Sequence, residues 1–231
     1  MERNLDAFSY IKEVSSEVQF SVRKIVVVGC HDGTTIARYK ELFPMSSIIG
    51  FEPNVTLARV ARNALSQYAE ITIYDFAISE YDKSAKLNLF SNDATSSFYD
   101  VQNYELFNEP IKGIGYLDVQ TKRLDSLVSE EKIWEEIDLL HIDTQGSDLS
   151  VLKSAQMLLE IGKIKMIRVE VEFQEMYRDQ PLVWEVCQFL NELDYTFLDF
   201  VETKRRIIKG VSTPIWADAI FVHSNALEPK A

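Results

Sequence analysis

Five residues carry the first chemical signal in this chain: Gly29, Cys30, His31, Asp32 and Gly33, a turn that follows the apolar run Lys24 to Val28. A glycine-bearing turn at the exit of a buried strand brings backbone close to a ligand. A dinucleotide fingerprint needs glycines at its first, third and sixth positions, but counted from Gly29 the third is His31 and the sixth is Thr34. The pyrophosphate cradle is therefore spoiled. No Lys-Ser/Thr pair follows, which excludes a P-loop. Asp32 adds negative charge, so the turn suits a cationic or zwitterionic cofactor better than a phosphorylated one.

Further along, acidic residues end the strand-like runs. Glu52 stands 23 positions after Gly29 in Gly-Phe-Glu-Pro-Asn, and a carboxylate there can accept both hydroxyls of a ribose. Pro53 keeps Glu52 in extended chain. At the third run, Asp75 can accept from an adenine amino group while Phe76 or Ala77 lies against the ring; Phe76 reads equally well as ordinary core. Asp143 ends the run Asp138 to Asp143 and is a general base, or alternatively a cap for the next helix. His141 falls on the same face two residues earlier, as an assistant to Asp143 or as a satisfied interior histidine. Glu170 and Glu172 share one face of the following run, and Glu172, nearer its open end, is the second acid/base candidate. Ser96, Ser97 and Tyr177 are placed as substrate contacts and Glu175 as surface. His31, His141 and His223 show no paired ligand spacing, so no metal site is expected.

These residues need positioning elements, and the sequence supplies an alternation. Short apolar runs at 24–29, 47–52, 71–77, 137–143, 164–173, 195–202 and 218–224 are separated by segments of helical period. Apolar runs without polar alternation suit strands covered on both faces, and strand–helix alternation implies a largely parallel sheet. The expectation is an α/β, doubly wound, mostly parallel seven-stranded sheet. Its last two strands, separated by the basic Lys204-Arg205-Arg206 stretch and Pro214, pair as a C-terminal antiparallel hairpin. Leu5, Phe8, Ile11, Val14 and Val18 predict an N-terminal amphipathic helix within 5–22, packed on the main body or across a homodimer. One helix is expected from Ser147 to Glu160, ended by Gly162, and another beginning at Asp179 and Pro181. The polar, weakly periodic stretch 79–115 reads as an irregular insertion covering the substrate.

With 231 residues and 46% hydrophobic content, one domain spanning 1–231 is expected, with 1–23 as a helical extension. A net charge of −12 disfavours nucleic acid and anionic membrane as partners. Two cysteines, Cys30 and Cys187, imply no disulfide framework. The charged N-terminus lacks a signal-peptide core and no run is long enough to span a membrane, so cytoplasmic residence is the expectation.

Gathered in order, the stretches at 27–36, 50–54, 76–87, 121–127 and 137–155 resemble the FkbM family of S-adenosylmethionine-dependent methyltransferases over roughly Lys24 to Val201. The most specific part is Asp143, Gly146, Asp148, Val151, Leu152, Ser154 and Ala155. The sequence departs from the family pattern at Val27, His31, His141 and Asp148. The resemblance implies a Rossmann-like class I methyltransferase fold with S-adenosylmethionine as cofactor. It implies that Gly29, His31 and Gly33, with Cys30 and Asp32 in the same turn, shape the methionine end; that Glu52 beside Pro53 binds the ribose; and that Asp75, Phe76 and Ala77 border the adenine. Methylation of a hydroxyl on a sugar or small natural product is the expected activity. The alternatives are N-methylation, a nucleotide-dependent oxidoreductase, and a non-catalytic binding protein on the same scaffold.

Overall fold

The structure, a computed structural model, describes residues 6–107 and 110–227. The alternation folds as a layered α/β unit. Its first half contains α1 (Ala7–Glu17), β1 (Lys24–Val28), α2 (Thr34–Leu42), β2 (Ser47–Phe51), α3 (Val55–Ala64), β3 (Ile71–Tyr74), β4 (Ala77–Ile78), β5 (Lys83–Phe90) and β6 (Gly113–Lys122). Then follow α4 (Leu124–Ser129), β7 (Ile137–Ile142), α5 (Asp148–Ser154), α6 (Gln156–Glu160), β8 (Ile164–Glu172), α7 (Val183–Asn191), β9 (Tyr195–Ile208), β10 (Val211–His223) and α8 (Ser224–Leu227).

The main sheet has seven strands in the order β3-β2-β1-β7-β8-β10-β9. The first five are parallel, and β10 runs antiparallel to both β8 and β9. Because β1 lies between β2 and β7, the chain reverses its direction of growth at β1, and a crevice opens at the carboxyl ends of these strands. Apolar side chains fill both faces. Val26, Leu140 and Val169 pack on one side with α5 and α7, while Val27, Leu139 and Met166 pack on the other with α1 to α3. Every residue of β7 is buried, Asp138 included. Its carboxylate is tolerated because it accepts from the backbone N–H of Arg23 and Lys24 at 2.8 and 2.9 Å and pairs with Lys165.

Several boundaries differ from the sequence reading. The N-terminal helix is shorter, running from an Asp6 cap to Glu17, and the chain leaves it where Gln19 takes a φ of 53°; Leu5 lies outside the described residues. Phe8, Ile11 and Val14 bury against this chain's own sheet, each contributing roughly 1.5–3 kcal/mol of transfer free energy. The helix expected over 147–160 is two, α5 and α6, meeting at Ala155. The one expected to begin at Asp179 and Pro181 starts at Val183. Asp179 has a left-handed φ of 57°, and the Leu182 N–H is taken by Glu185 Oε2 at 2.8 Å. The basic Lys204-Arg205-Arg206 stretch lies inside β9 rather than between strands. The turn falls on Lys209 and Gly210, both with positive φ, as a two-residue hairpin turn requires. Pro214 lies in β10 at a register shift, the position a sheet allows it.

The largest correction concerns 79–115. Its start is regular: β5 pairs antiparallel with β6, which pairs with β4, in a separate three-stranded sheet. The periodicity is weak because the sheet is mostly solvated, so apolar residues such as Ile114 and Tyr116 point to water while Leu87 and Phe90 point inward. Between β5 and β6 the described chain folds back as two short 3-10 turns, Asp93–Thr95 and Tyr104–Leu106.

Candidate active site

The crevice is built by the exits of β1, β2 and β7. Gly29 and Cys30 donate their backbone N–H groups to the Phe51 carbonyl at 3.0 and 3.1 Å, and Asp143 donates to Val28 at 3.0 Å. The Gly29 requirement comes from this crowding. With φ at 84°, a Cβ there would stand 1.8 Å from the Asp143 carbonyl oxygen. Gly33, at φ 89°, starts α2, where a Cβ would meet Leu65 and Ala61.

Glu52 is oriented in the crevice by two backbone donors. One oxygen accepts from His31 N at 3.0 Å and the other from Asn54 N at 2.8 Å. The side chain is buried. Burial raises its pKa, and those two backbone donors work against the rise. Glu52 therefore ties the first turn to the second and presents its remaining lone pairs to a cavity of about 750 Å³. Gly29, His31, Pro53, Ala77, Ser96 and Asp143, all expected at the site, line that cavity with Glu52.

Other expected residues are elsewhere. Cys30 points into the core, where burial pushes its thiol up. Asp32 holds Thr34 N at 3.0 Å at the start of α2, and this bond lowers its pKa. Asp75 faces Arg62 at 3.2 Å, and Phe76 packs on Phe51 and Tyr74, so of the expected adenine border only Ala77 reaches the cavity, joined by Ile78. His141 is the interior histidine of the two readings. It lies inside β7 with Nδ1 2.8 Å from the Tyr39 hydroxyl, and burial with Arg168 nearby drives its pKa well down. Asp143, beyond the strand end, escapes that enclosure. Ser97 is buried and donates to the Gln145 carbonyl at 2.7 Å. Tyr177 is buried with its hydroxyl 3.0 Å from both Thr95 O and Gln145 Oε1. Both fasten the insertion down.

The residue that sequence reasoning missed is Gln145. Its Nε2 donates to Asp143 Oδ1 at 3.0 Å and to Glu170 Oε2 at 2.9 Å, and its φ is 53°. The signal that could have found it is its place between Asp143 and Gly146, in a turn leaving a central strand. Around it stand four acids. Burial raises Asp143. Asp148 is pushed up to about 7 by burial and then by Asp143, although it accepts from Thr144 N and Gly146 N. Burial and neighbouring carboxylates lift Glu170 and Glu172 well above the usual range. Glu172 lines a second cavity with Gln145 and does not line the first. Among the described residues, no cluster of His, Cys, Asp and Glu is arranged to hold a metal ion, and no helix is long and apolar enough to cross a membrane.

The described lining of the first cavity contains carboxylates but no Lys or Arg, and Thr144 Oγ1 is buried there without a hydrogen-bond partner. Leu57, Ile78, Leu87 and Phe98 offer an apolar enclosure. A sulfonium-bearing amino acid joined to a nucleoside fits this donor set, and a pyrophosphate does not.

Fold and crevice together define a Rossmann-like methyltransferase. The profile of the methyltransferase FkbM domain matches residues 28–197, and the chain belongs to that family, whose methyl donor is S-adenosylmethionine. A 2-O-methyltransferase, NoeI of Sinorhizobium fredii, is 26% identical over 163 residues; the match covers 68% of this chain and 66% of that protein. A suspected rRNA methylase from Clostridium thermocellum has a similar fold, with TM-score 0.50 and 9% identity, covering 94% of this chain and 96% of that one. Aeropyrum pernix fibrillarin, solved with bound S-adenosyl-L-methionine, aligns with TM-score 0.47 and 12% identity over 91% of this chain and 73% of its own.

Proposed function

We propose that this chain transfers a methyl group from S-adenosylmethionine to a hydroxyl of a sugar or small hydroxylated product. The observation that carries the reading is Glu52, clamped by two backbone N–H groups on one side of the cavity, with Asp143 lining the same cavity. Similarity to a protein named as a 2-O-methyltransferase supports the choice of oxygen.

When bound, S-adenosylmethionine supplies an electrophilic methyl on a sulfonium, and sulfur keeps the carbon–sulfur electron pair as the acceptor oxygen bonds to carbon. Glu52 would hold the ribose diol and fix where the methyl points. Asp143 would take the proton that the acceptor hydroxyl loses, and its raised pKa makes it a stronger base than an exposed aspartate. Its Gln145 hydrogen bond holds that carboxyl in place. Asp93, on the insertion, reaches over to His31 with 3.1 Å between Oδ1 and Nε2, closing part of the mouth against water.

Titration calorimetry with S-adenosylmethionine, S-adenosylhomocysteine and NAD tests the donor assignment. Micromolar binding of the two sulfur nucleosides without a response to NAD is expected; the reverse pattern would return the chain to the oxidoreductase reading.

A further inference from the structure

Beyond Gln145 lies a second cavity of about 700 Å³ that, among the described residues, shares only Ala94 and Gln145 with the first. Its floor comes from the main sheet. Glu170 and Glu172 project from the carboxyl end of β8, and Trp216 of β10 stands opposite Glu172 in the antiparallel register. Its roof comes from the insertion, through Leu106, Phe107 and Ile111. We propose that this cavity is the acceptor chamber, and that it takes a neutral polyhydroxylated ring whose reacting hydroxyl passes Gln145 to reach the methyl group. This rests on the methyltransferase reading above and assigns its acceptor class.

The chemistry of the walls selects the class. A pyranose ring has an apolar face of C–H bonds and an equator of hydroxyls. The half-buried indole of Trp216 offers a flat surface for the first, and two carboxyl groups on one face of β8 offer hydrogen bonds to adjacent hydroxyls. Glu172 is 3% exposed with Gln180 beside it, and its carboxyl keeps hydrogen-bonding capacity for an occupant of the cavity. Burial raises the pKa of both glutamates, which favours the protonated form, and a protonated carboxyl can donate to a neutral ligand as well as accept from it. A cationic amine would instead require them to ionise beside Asp143 and Asp148. Gln145 forms the partition, with its amide bonded to Asp143 on the donor side and to Glu170 on the chamber side. A hydroxyl entering between them would replace one of these bonds and meet the proposed base directly.

The test uses the full chain, with and without saturating S-adenosylhomocysteine. Methyl β-glucopyranoside, methyl β-galactopyranoside and glucosamine are the probes, followed by saturation-transfer NMR and tryptophan fluorescence. Saturable millimolar binding of at least one neutral glycoside is expected. Glu172→Gln should weaken it roughly tenfold or more, and Trp216→Phe should abolish the fluorescence change, while both variants keep S-adenosylhomocysteine affinity within about threefold. No saturable response to either glycoside, binding of glucosamine alone, or glycoside binding indifferent to both substitutions would each overturn the proposal. Failure of S-adenosylhomocysteine to bind the unaltered protein would sink the donor assignment instead, and the glycoside arm without nucleoside would still score the chamber.

Discussion

At the scale of single residues, Glu52 and Gly29 do different work although both stand at the same crevice. Glu52 holds two backbone N–H groups and lines the first cavity, so Glu52→Ala removes the clamp on His31 and, on the proposed reading, the anchor for the ribose. Two hydrogen bonds to a charged group at about 1.5–3 kcal/mol each correspond to a loss of on the order of a hundredfold or more in S-adenosylmethionine affinity, readable by calorimetry. Gly29→Ala is a folding lesion: a Cβ 1.8 Å from the Asp143 carbonyl forces β1 and β7 apart. A destabilisation of about 4 kcal/mol or more is expected, seen as loss of the cooperative melt rather than as a selective loss of turnover. Asp143→Asn keeps the shape and removes the proposed base. Its turnover should fall roughly 10²–10⁴-fold with S-adenosylhomocysteine binding nearly unchanged, and a fall of only a few-fold would move the base elsewhere.

At the scale of elements, residues 100–103 of the insertion are tied by backbone hydrogen bonds to the segment after β8, while the turn at 93–97 is held to it and to Gln145 through side chains. The Tyr177 hydroxyl lies between the Asp93–Thr95 turn and Gln145, and Ser97 reaches the Gln145 backbone. Tyr177→Phe removes one such tie at a cost of about 1 kcal/mol. Amide hydrogen exchange over 92–98 should then speed up while exchange in β7 and β8 stays slow; unchanged exchange over 92–98 would mean that packing alone holds the turn. The sequence discloses little about stretch 79–115 because its described buried apolar residues, Leu87, Phe90, Val101, Leu106, Phe107 and Ile111, are irregularly spaced and five of them pack against Met176, Tyr177 and Ile215 from distant parts of the chain, so neither a period of two nor one of 3.6 marks it.

For the molecule as a whole, the concentration of Asp143, Asp148, Glu170 and Glu172 beneath the insertion predicts the direction of its pH response. All four have folded pKa values above their unfolded ones. At these four sites the native state therefore binds more protons, and their contribution to stability falls as pH rises, while the buried neutral His141 acts in the opposite sense below its ordinary value of about 6.5. The contribution of Asp148 is fully present below about 4 and lost as pH passes through about 7. Those of Glu170 and Glu172 are lost as pH rises through their raised values. Thermal melts of the ligand-free protein should show a lower midpoint at pH 8 than at pH 5. Glu172→Gln, which removes one charge at nearly constant shape, should raise the midpoint at pH 8 more than at pH 5; an equal shift at both would mean that the glutamate is not titrating in that window.

The amino-acid order by itself determined the alternation of seven apolar runs with helices, the reversal into a terminal hairpin, and the turn at Gly29 to Gly33 with Glu52 beyond it. Each of these is written locally, in β-branched runs, in glycine and proline, and in a carboxylate at a strand tip. The tertiary structure alone decided that His141 is sealed beneath Tyr39, 102 positions away, while Asp143 two residues later opens on the cavity. It also decided that Gln145 bridges to Glu170, 25 positions on, and that Trp216 stands beside Glu172. These pairings follow from β8 lying between β7 and β10 and from the insertion folding back over them. Contacts set by strand order and chain return have no period or spacing in the sequence, so the turn at Gly29 to Gly33 was legible there and the second cavity beside it was not.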